Sequence, residues 1–264
     1  LKKIESPQNP LIKHIVQLQT KSKVRKQTQT FLIEGVREIS LALRSNYELE
    51  KILFTPDIIS ENEINKILPS KIERTQISSE IYKKLAYRNT TEGILAIAKS
   101  KVVELKNLDL PKNPLILVAE NLEKPGNIGA ILRTADATCL DAVLIAEPKS
   151  DIYNPNIIRA SLGALFTNKI VVGTTKEIVS FLKEKQINIY CATLQNATYY
   201  NKENYTSPTA FVVGAEDKGV SERFRNSAKK NIVIPMQGEI DSLNVSVAAS
   251  ILIFEARRQR NFVY

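Results

Sequence analysis

The stretch Leu115-Ile-Leu-Val-Ala-Glu-Asn121-Leu-Glu-Lys-Pro125-Gly126-Asn127-Ile-Gly129-Ala-Ile-Leu-Arg133-Thr-Ala135 settles the architecture. Five apolar residues, Leu115 to Ala119, read as a strand covered on both faces, because a half-exposed strand would alternate. A Pro-Gly turn follows, then helical spacing from 128 to 139. Asn127 stands where a helix cap is wanted. Arg133 falls six residues on, about 1.7 turns along the helix. Set among Ile128, Ala130, Ile131, Leu132 and Ala135, its guanidinium needs an anion or a hydrogen-bond partner. An ordinary cap and a structural ion pair would account for both residues.

The alternation continues downstream. Apolar strands are expected at 142–146, 169–172, 188–192, 210–213 and 231–234, with helices at 176–185 and 245–260. Continuous apolar strands separated by helices imply an α/β fold with a mostly parallel sheet. Upstream, strands at 31–33, 52–54 and 93–98 with helices at 36–44, 61–68 and 78–86 imply a second, smaller α/β domain. The chain is therefore divided into a basic N-terminal helical arm (1–26), a small domain (27–105), a linker (106–113) and a larger domain (114–264).

Composition narrows the function. The 264 residues carry 37 basic and 28 acidic side chains, a net +9. Of that excess, +6 sits in residues 1–26: Lys2, Lys3, Lys13, Lys21, Lys23, Arg25 and Lys26 against Glu5. Such an arm can neutralise phosphates. Leu11, Ile12, Ile15, Val16 and Leu18 also give it an apolar stripe, so a helix packed on one side and basic on the other is expected. Removing it should weaken binding to nucleic acid and flatten the salt dependence.

Cys139 and Cys191 show no metal-ligand spacing and read as reduced core residues of a cytoplasmic protein. One histidine, His14, is too few for a zinc site or a His-based triad, so no metal is expected. No apolar run approaches the ~18 residues of a membrane span, and the N-terminus lacks a signal peptide's apolar core.

The chain has only nine glycines. Gly126, Gly129, Gly163, Gly214, Gly219 and Gly238 fall after expected strands, and read together as the rim of a ligand crevice. Two further segments are rich in polar groups. Phe211-Val-Val-Gly214-Ala-Glu216-Asp217-Lys-Gly219-Val-Ser221 sets a carboxylate between two glycines, which suits a cationic or hydroxyl-bearing ligand and not a triphosphate. Ile234-Pro235-Met236-Gln237-Gly238-Glu239-Ile240-Asp241-Ser242-Leu243-Asn244-Val245-Ser246 enters a helix, with Ser242 or Asn244 as the ordinary cap.

In order and spacing the three segments resemble the signature motifs of the SpoU (TrmH-type) family of RNA ribose 2′-O-methyltransferases, within the SPOUT superfamily. The resemblance spans about 150 residues, with Arg159-Ala-Ser161-Leu-Gly163-Ala similar to a further family element. Phe31-Leu-Ile-Glu34-Gly35-Val-Arg37-Glu38 resembles the N-terminal substrate-binding domain of members that act on large-subunit ribosomal RNA. That domain is similar to a large-subunit ribosomal protein; members that modify tRNA commonly lack it.

The resemblance implies a C-terminal SPOUT α/β fold with a deep trefoil knot, a homodimer through the C-terminal domain, and S-adenosylmethionine as methyl donor. It implies Arg133, Asn127, Glu216, Ser242 and Asn244 as catalytic residues. The donor would be held by Thr193, Leu194, Gly214, Glu216, Gly219, Ile234, Met236, Ser242 and Leu243. Lys13, Lys21, Lys23, Arg25, Lys26, Arg37 and Arg88 would contact RNA. The target would be a ribose 2′-hydroxyl of 23S ribosomal RNA. A tRNA 2′-O-methyltransferase and a non-catalytic ribosomal-RNA-binding assembly factor are the alternatives. A guanidinium is a fork of donors with no acceptor. Arg133 is accordingly expected to clamp a phosphate and the emerging alkoxide, not to act as general base. A dinucleotide oxidoreductase would need a longer glycine fingerprint than Pro125-Gly-Asn-Ile-Gly, although Asp141 stands near the expected acidic position.

Overall fold

The computed structural model describes residues 2–86, 92–239 and 242–263. The chain begins β1 (Lys2–Ile4), α1 (Pro10–Thr20), α2 (Ser22–Thr28), β2 (Thr30–Glu34), α3 (Val36–Arg44) and β3 (Leu49–Phe54). It continues α4 (Glu61–Ile67), β4 (Glu73–Ile77), α5 (Ser79–Leu85), β5 (Ile94–Lys99), β6 (Leu115–Glu120), α6 (Pro125–Ala137) and β7 (Ala142–Ala146). Next come α7 (Pro155–Ala160), α8 (Ala164–Thr167), β8 (Ile170–Gly173), α9 (Thr175–Glu184), β9 (Asn188–Ala192) and β10 (Thr198–Tyr199). It closes with β11 (Thr209–Val213), α10 (Glu222–Ser227), β12 (Lys230–Val233) and α11 (Val245–Gln259). Two compact units result: Leu1–Lys101 with Asp151–Thr167, and Val102–Ser150 with Asn168–Tyr264.

The first unit holds a five-stranded sheet in the order β1-β4-β3-β5-β2. β1, β4 and β3 run parallel, and β5 is antiparallel to both β3 and β2. Ile12, Ile15 and Leu18 of α1 share a core with Leu32, Leu53, Ile77, Tyr82 and Leu85. The basic arm is thus no appendage. Deleting residues 1–26 would remove an edge strand and part of the core, so its lysines must be probed by side-chain substitution and not by truncation. β1 and β4 were not expected from the sequence: Glu73-Arg-Thr-Gln-Ile is mostly polar, and pairing holds it in place.

Arg25 departs from its expected role. It is 4% exposed, donates from Nε to Asp151 Oδ2 at 2.5 Å and from Nη1 to the Leu18 carbonyl at 2.6 Å. An inward guanidinium bound at both faces is a structural tie, not an RNA contact. Its partner opens the segment 151–167, whose place in this unit the sequence division misses. The Tyr153 ring stacks on Phe31 with centroids 4.3 Å apart, and the Tyr153 hydroxyl donates to the Lys101 carbonyl at 2.9 Å. Gly163 lies here too, with φ +85°, and a Cβ on it would sit 2.7 Å from Leu41 Cδ1. It serves packing and not a ligand rim.

The second unit is a seven-stranded sheet, order β10-β12-β9-β11-β6-β7-β8, parallel at every pairing. β6, β7 and β11 are buried along their whole length, as their unbroken apolar runs require. All strands deliver their carboxyl ends to one edge, where open α/β sheets hold ligands. α6 and α11 pack together, with the Thr134 and Ser250 hydroxyls 2.8 Å apart. α6 starts at Pro125, earlier than expected, and Lys124 is its cap residue. Asn127 therefore lies inside the first turn and does not cap the helix. Gly129 is buried within it, away from any rim.

The two cysteines part company. Cys191 is buried, and desolvation pushes its thiol up to about 12. Cys139 is exposed, just past α6 at φ +48°, so it is not the core residue expected. Asp141 accepts the Leu115 N–H at 2.7 Å, at the amino ends of the strands and so opposite a dinucleotide crevice. Among the described residues no helix is long and apolar enough to cross a membrane.

Removing one partner of a buried ion pair costs roughly 3–5 kcal/mol. Arg25→Ala should lower unfolding stability by about that amount in urea titration, because Asp151 is 8% exposed and has Arg25 as its ion-pair partner. A loss under ~1 kcal/mol would contradict the tie.

Candidate functional site

At the carboxyl ends of β9, β11 and β12 lies a cavity of about 400 Å³, within the ~300–1,000 Å³ of small-ligand sites. Three loops wall it: Thr193 and Leu194 after β9, Gly214 to Gly219 after β11, and Ile234, Met236, Ser242 and Leu243 after β12. Every residue expected at a donor site lines it. Leu194 and Leu243 expose 61% and 37% of their surface there, the kind of uncovered apolar area that a planar heterocycle would cover.

The middle loop is the most constrained. A Cβ on Gly214 would stand 2.1 Å from the Gly219 carbonyl carbon and oxygen, so no other residue fits without moving the backbone. Ala215 and Gly219 form an antiparallel bridge, and Gly219 takes φ +62°. Glu216 projects from the tip of this closed turn.

There Glu216 meets the other two segments. Asn127 Nδ2 donates to Glu216 Oε1 at 3.0 Å. Asn244 Nδ2 donates to Asn127 Oδ1 at 3.0 Å and to Glu216 Oε1 at 3.2 Å. Asn244 also caps α11, its Oδ1 accepting the Ser246 N–H at 3.0 Å. One side chain thus joins the cap and the cluster. Lys124 completes the group with an ion pair to Glu216 Oε2. Ser242 lines the main cavity but makes no hydrogen bond with the cluster among the described contacts.

The structure does not bring Arg133 into this cluster. It is exposed on α6, turned by ~240° from Asn127 at ~100° per residue. Among the described residues no hydrogen bond or ion pair within the chain engages it. Lys13, Lys21, Lys23 and Lys26 are exposed along α1 and α2. Arg37 is half-exposed and paired with buried Glu38, so part of its charge is already used. Arg88 lies outside the described residues.

The sequence reading missed Lys124, Asp217, Lys218 and Arg225, the last three on the main cavity wall. Lys124 could have been found from its place beside Pro125. Arg225 carries no such signal, because α10 brings it back from eleven residues beyond Gly214. Among the described residues no group of three His, Cys, Asp or Glu could hold a metal ion.

Comparison with known proteins gives the site a context. The SpoU rRNA Methylase family model matches residues 114–254, and the MRM3-like substrate binding domain matches residues 9–96. A 23S rRNA (guanosine(2553)-2′-O)-methyltransferase, RlmP, of Bacillus subtilis is 31% identical over 97% of this chain and 100% of its own length. The crystal structure of an RNA 2′-O ribose methyltransferase superposes with TM-score 0.85 at 36% identity, covering 98% of this chain and 99% of that one. A TrmH/SpoU tRNA modifying enzyme of A. aeolicus covers only 60% of this chain and 82% of its own, with TM-score 0.52 and 34% identity.

The Lys124 and Asn127 hydrogen bonds hold the Glu216 carboxyl below the usual carboxylate range. Its charge should therefore persist as pH falls through that range and disappear only below it. Lys124→Ala should move the titration of Glu216 upward, read by carboxyl ¹³C NMR. An unmoved titration would mean that the ion pair does not hold the carboxylate.

Proposed function

The chain belongs to the SpoU rRNA methylase family, and on that footing we propose that it transfers a methyl group from S-adenosylmethionine to a ribose 2′-hydroxyl of large-subunit ribosomal RNA. The observation that carries this reading is the convergence of Asn127, Glu216 and Asn244, from three separate segments, beside a cavity of small-ligand size. Its walls fit the donor. Leu194, Ile234, Met236 and Leu243 offer apolar surface for an adenine, and the polar residues Glu216, Asp217, Lys218 and Arg225 line the same cavity. When bound, the donor supplies an electrophilic methyl carbon.

The chain's residues position and screen. Glu216, held ionised, orients Asn127 and Asn244 at the cavity edge. Arg133 is a five-donor fork that we assign to the substrate phosphate and the emerging alkoxide. Within one chain it points away from the cluster, which supports a homodimer. Val247 and Phe254 of α11 are 47% and 46% exposed, with half-buried Ile251 between them at helical spacing. We propose that this face pairs with a second copy and that Arg133 of one protomer serves the site of the other. The backbone also supports a threaded C-terminus: β12 lies between β9 and β10 although it follows both in sequence.

Ribosomal RNA is favoured over tRNA because the substrate-binding domain is present and the tRNA-modifying neighbour covers only 60% of the chain. Work on ribosomal RNA places the protein in the cytoplasm in this reading. α1 and α2 supply the lysines that would meet RNA phosphates.

The test is transfer of a labelled methyl group to ribosomal RNA, with the product mapped as a 2′-O-methyl nucleotide. A chain that binds RNA but transfers nothing would be an assembly factor instead. Arg133→Lys should lower kcat about 10²-fold with donor affinity unchanged, since the fork geometry is lost. Near-normal turnover would show that a point charge suffices. Replacing Lys13, Lys21, Lys23 and Lys26 by Ala should reduce the slope of log K against log salt by about 0.7–0.9 per phosphate contact removed. An unchanged slope would take this face out of the RNA contact.

A further inference from the structure

Glu120 is the last residue of β6 and is 1% exposed. It belongs to none of the residues assigned above, yet it carries a carboxylate into the floor of the sheet's carboxyl edge. No ion pair within the described residues involves it. Its two oxygens are divided instead between two neighbouring elements. Oε1 accepts from the Thr175 hydroxyl at the start of α9 at 2.7 Å, and Oε2 accepts from the Ser221 N–H at the start of α10 at 2.7 Å.

Ser221 ends the loop that begins at Gly214. The same end is fixed twice more: the Val220 side chain is 1% exposed in the sheet core, and the Val220 carbonyl accepts from Arg225 Nη1 at 3.0 Å. Of the three attachments, Glu120 is the one that reaches the loop from β6, alongside β11 where the loop starts. It ties the loop's exit to the sheet strand beside its entrance.

We propose that Glu120 is a positioning residue for the methyl-donor loop. By fixing the Ser221 end, it sets where the Gly214–Gly219 turn closes along the cavity wall. The inference rests on the donor-site reading of that cavity. It predicts a loss of donor affinity without a matching loss of catalytic rate, because Glu120 does not line the cavity and makes none of the cluster's hydrogen bonds. A bond-length carboxylate is required only as a pair of hydrogen-bonding atoms, so an amide of the same shape serves. Gln can accept the Ser221 N–H with its carbonyl and donate to the Thr175 oxygen with its amide.

The experiment measures S-adenosylmethionine binding by calorimetry and steady-state methyl transfer on the full chain. Glu120→Leu should raise Kd and KM for the donor at least tenfold while kcat at saturating donor stays within about threefold, since the Ser221 N–H and Thr175 hydroxyl lose their acceptor. Glu120→Gln should restore Kd to within about threefold of the unchanged chain. Thr175→Val, which leaves the Ser221 bond in place, should show a smaller rise than Glu120→Leu and serves if that variant does not fold. Wild-type donor affinity in Glu120→Leu, or in its absence a Thr175→Val that binds as the unchanged chain does, would overturn the inference. So would an equal fall in kcat and affinity in Glu120→Leu. Failure of the unchanged chain to bind the donor would overturn the donor-site reading itself, a separate result.

Discussion

Two glycine backbones that touch control the candidate site. Gly214 and Gly219 approach so closely that a single added methyl at 214 would overlap the opposite peptide. The turn between them must therefore be tight, and its tip carries Glu216 outward from a fully buried strand. Everything assembled around the tip follows. Asn127 reaches Glu216 because α6 begins immediately after the β6 loop, and Asn244 reaches both because it caps α11. Three segments far apart in sequence meet because a parallel sheet sends all its carboxyl ends the same way.

The charges divide the labour in the proposed reading. Of the net +9, +6 lies in residues 1–26, where exposed lysines line α1 and α2. The cavity of the second unit instead carries both signs, Glu216 and Asp217 beside Lys218 and Arg225. The pairing of Lys124 with Glu216 keeps the cavity edge from carrying an unscreened carboxylate.

Much of this was legible beforehand for physical reasons. Fully buried parallel strands cannot alternate, so their apolar runs showed β6, β7 and β11 almost residue by residue. Loops that close on glycine and carry excess polar groups marked a crevice rim, whereas the individual residues expected around a donor came from the family resemblance, and all of them line the cavity. What failed was long-range pairing. β4 is polar and exists because β3 and β1 hold it, and Arg25 looks basic and exposed until Asp151 arrives from 126 residues away. The segment 151–167 joins the first unit through a tyrosine stacked on Phe31, a contact with no local signature. Arg133 stood out in the sequence as a cation on an apolar helix, and that helix turns it away from the cluster that its motif neighbours build.

That displacement bears on how the hydroxyl loses its proton. Glu216 is held ionised by the Lys124 ammonium and the Asn127 amide, and a carboxylate stabilised in that way is a weak proton acceptor near neutrality. Arg133 has only donors. Neither residue is suited to abstract the proton, so in the proposed reading neither serves as the general base. The arrangement instead suits a reaction whose barrier falls by orientation and by stabilising charge as it develops. In the proposed reading the Arg133 guanidinium, a fork of donors, would stabilise the alkoxide without taking its proton. The weight of catalysis then rests on how firmly the loops hold their partners, and Glu120 is the buried carboxylate that bonds the Ser221 end of one such loop.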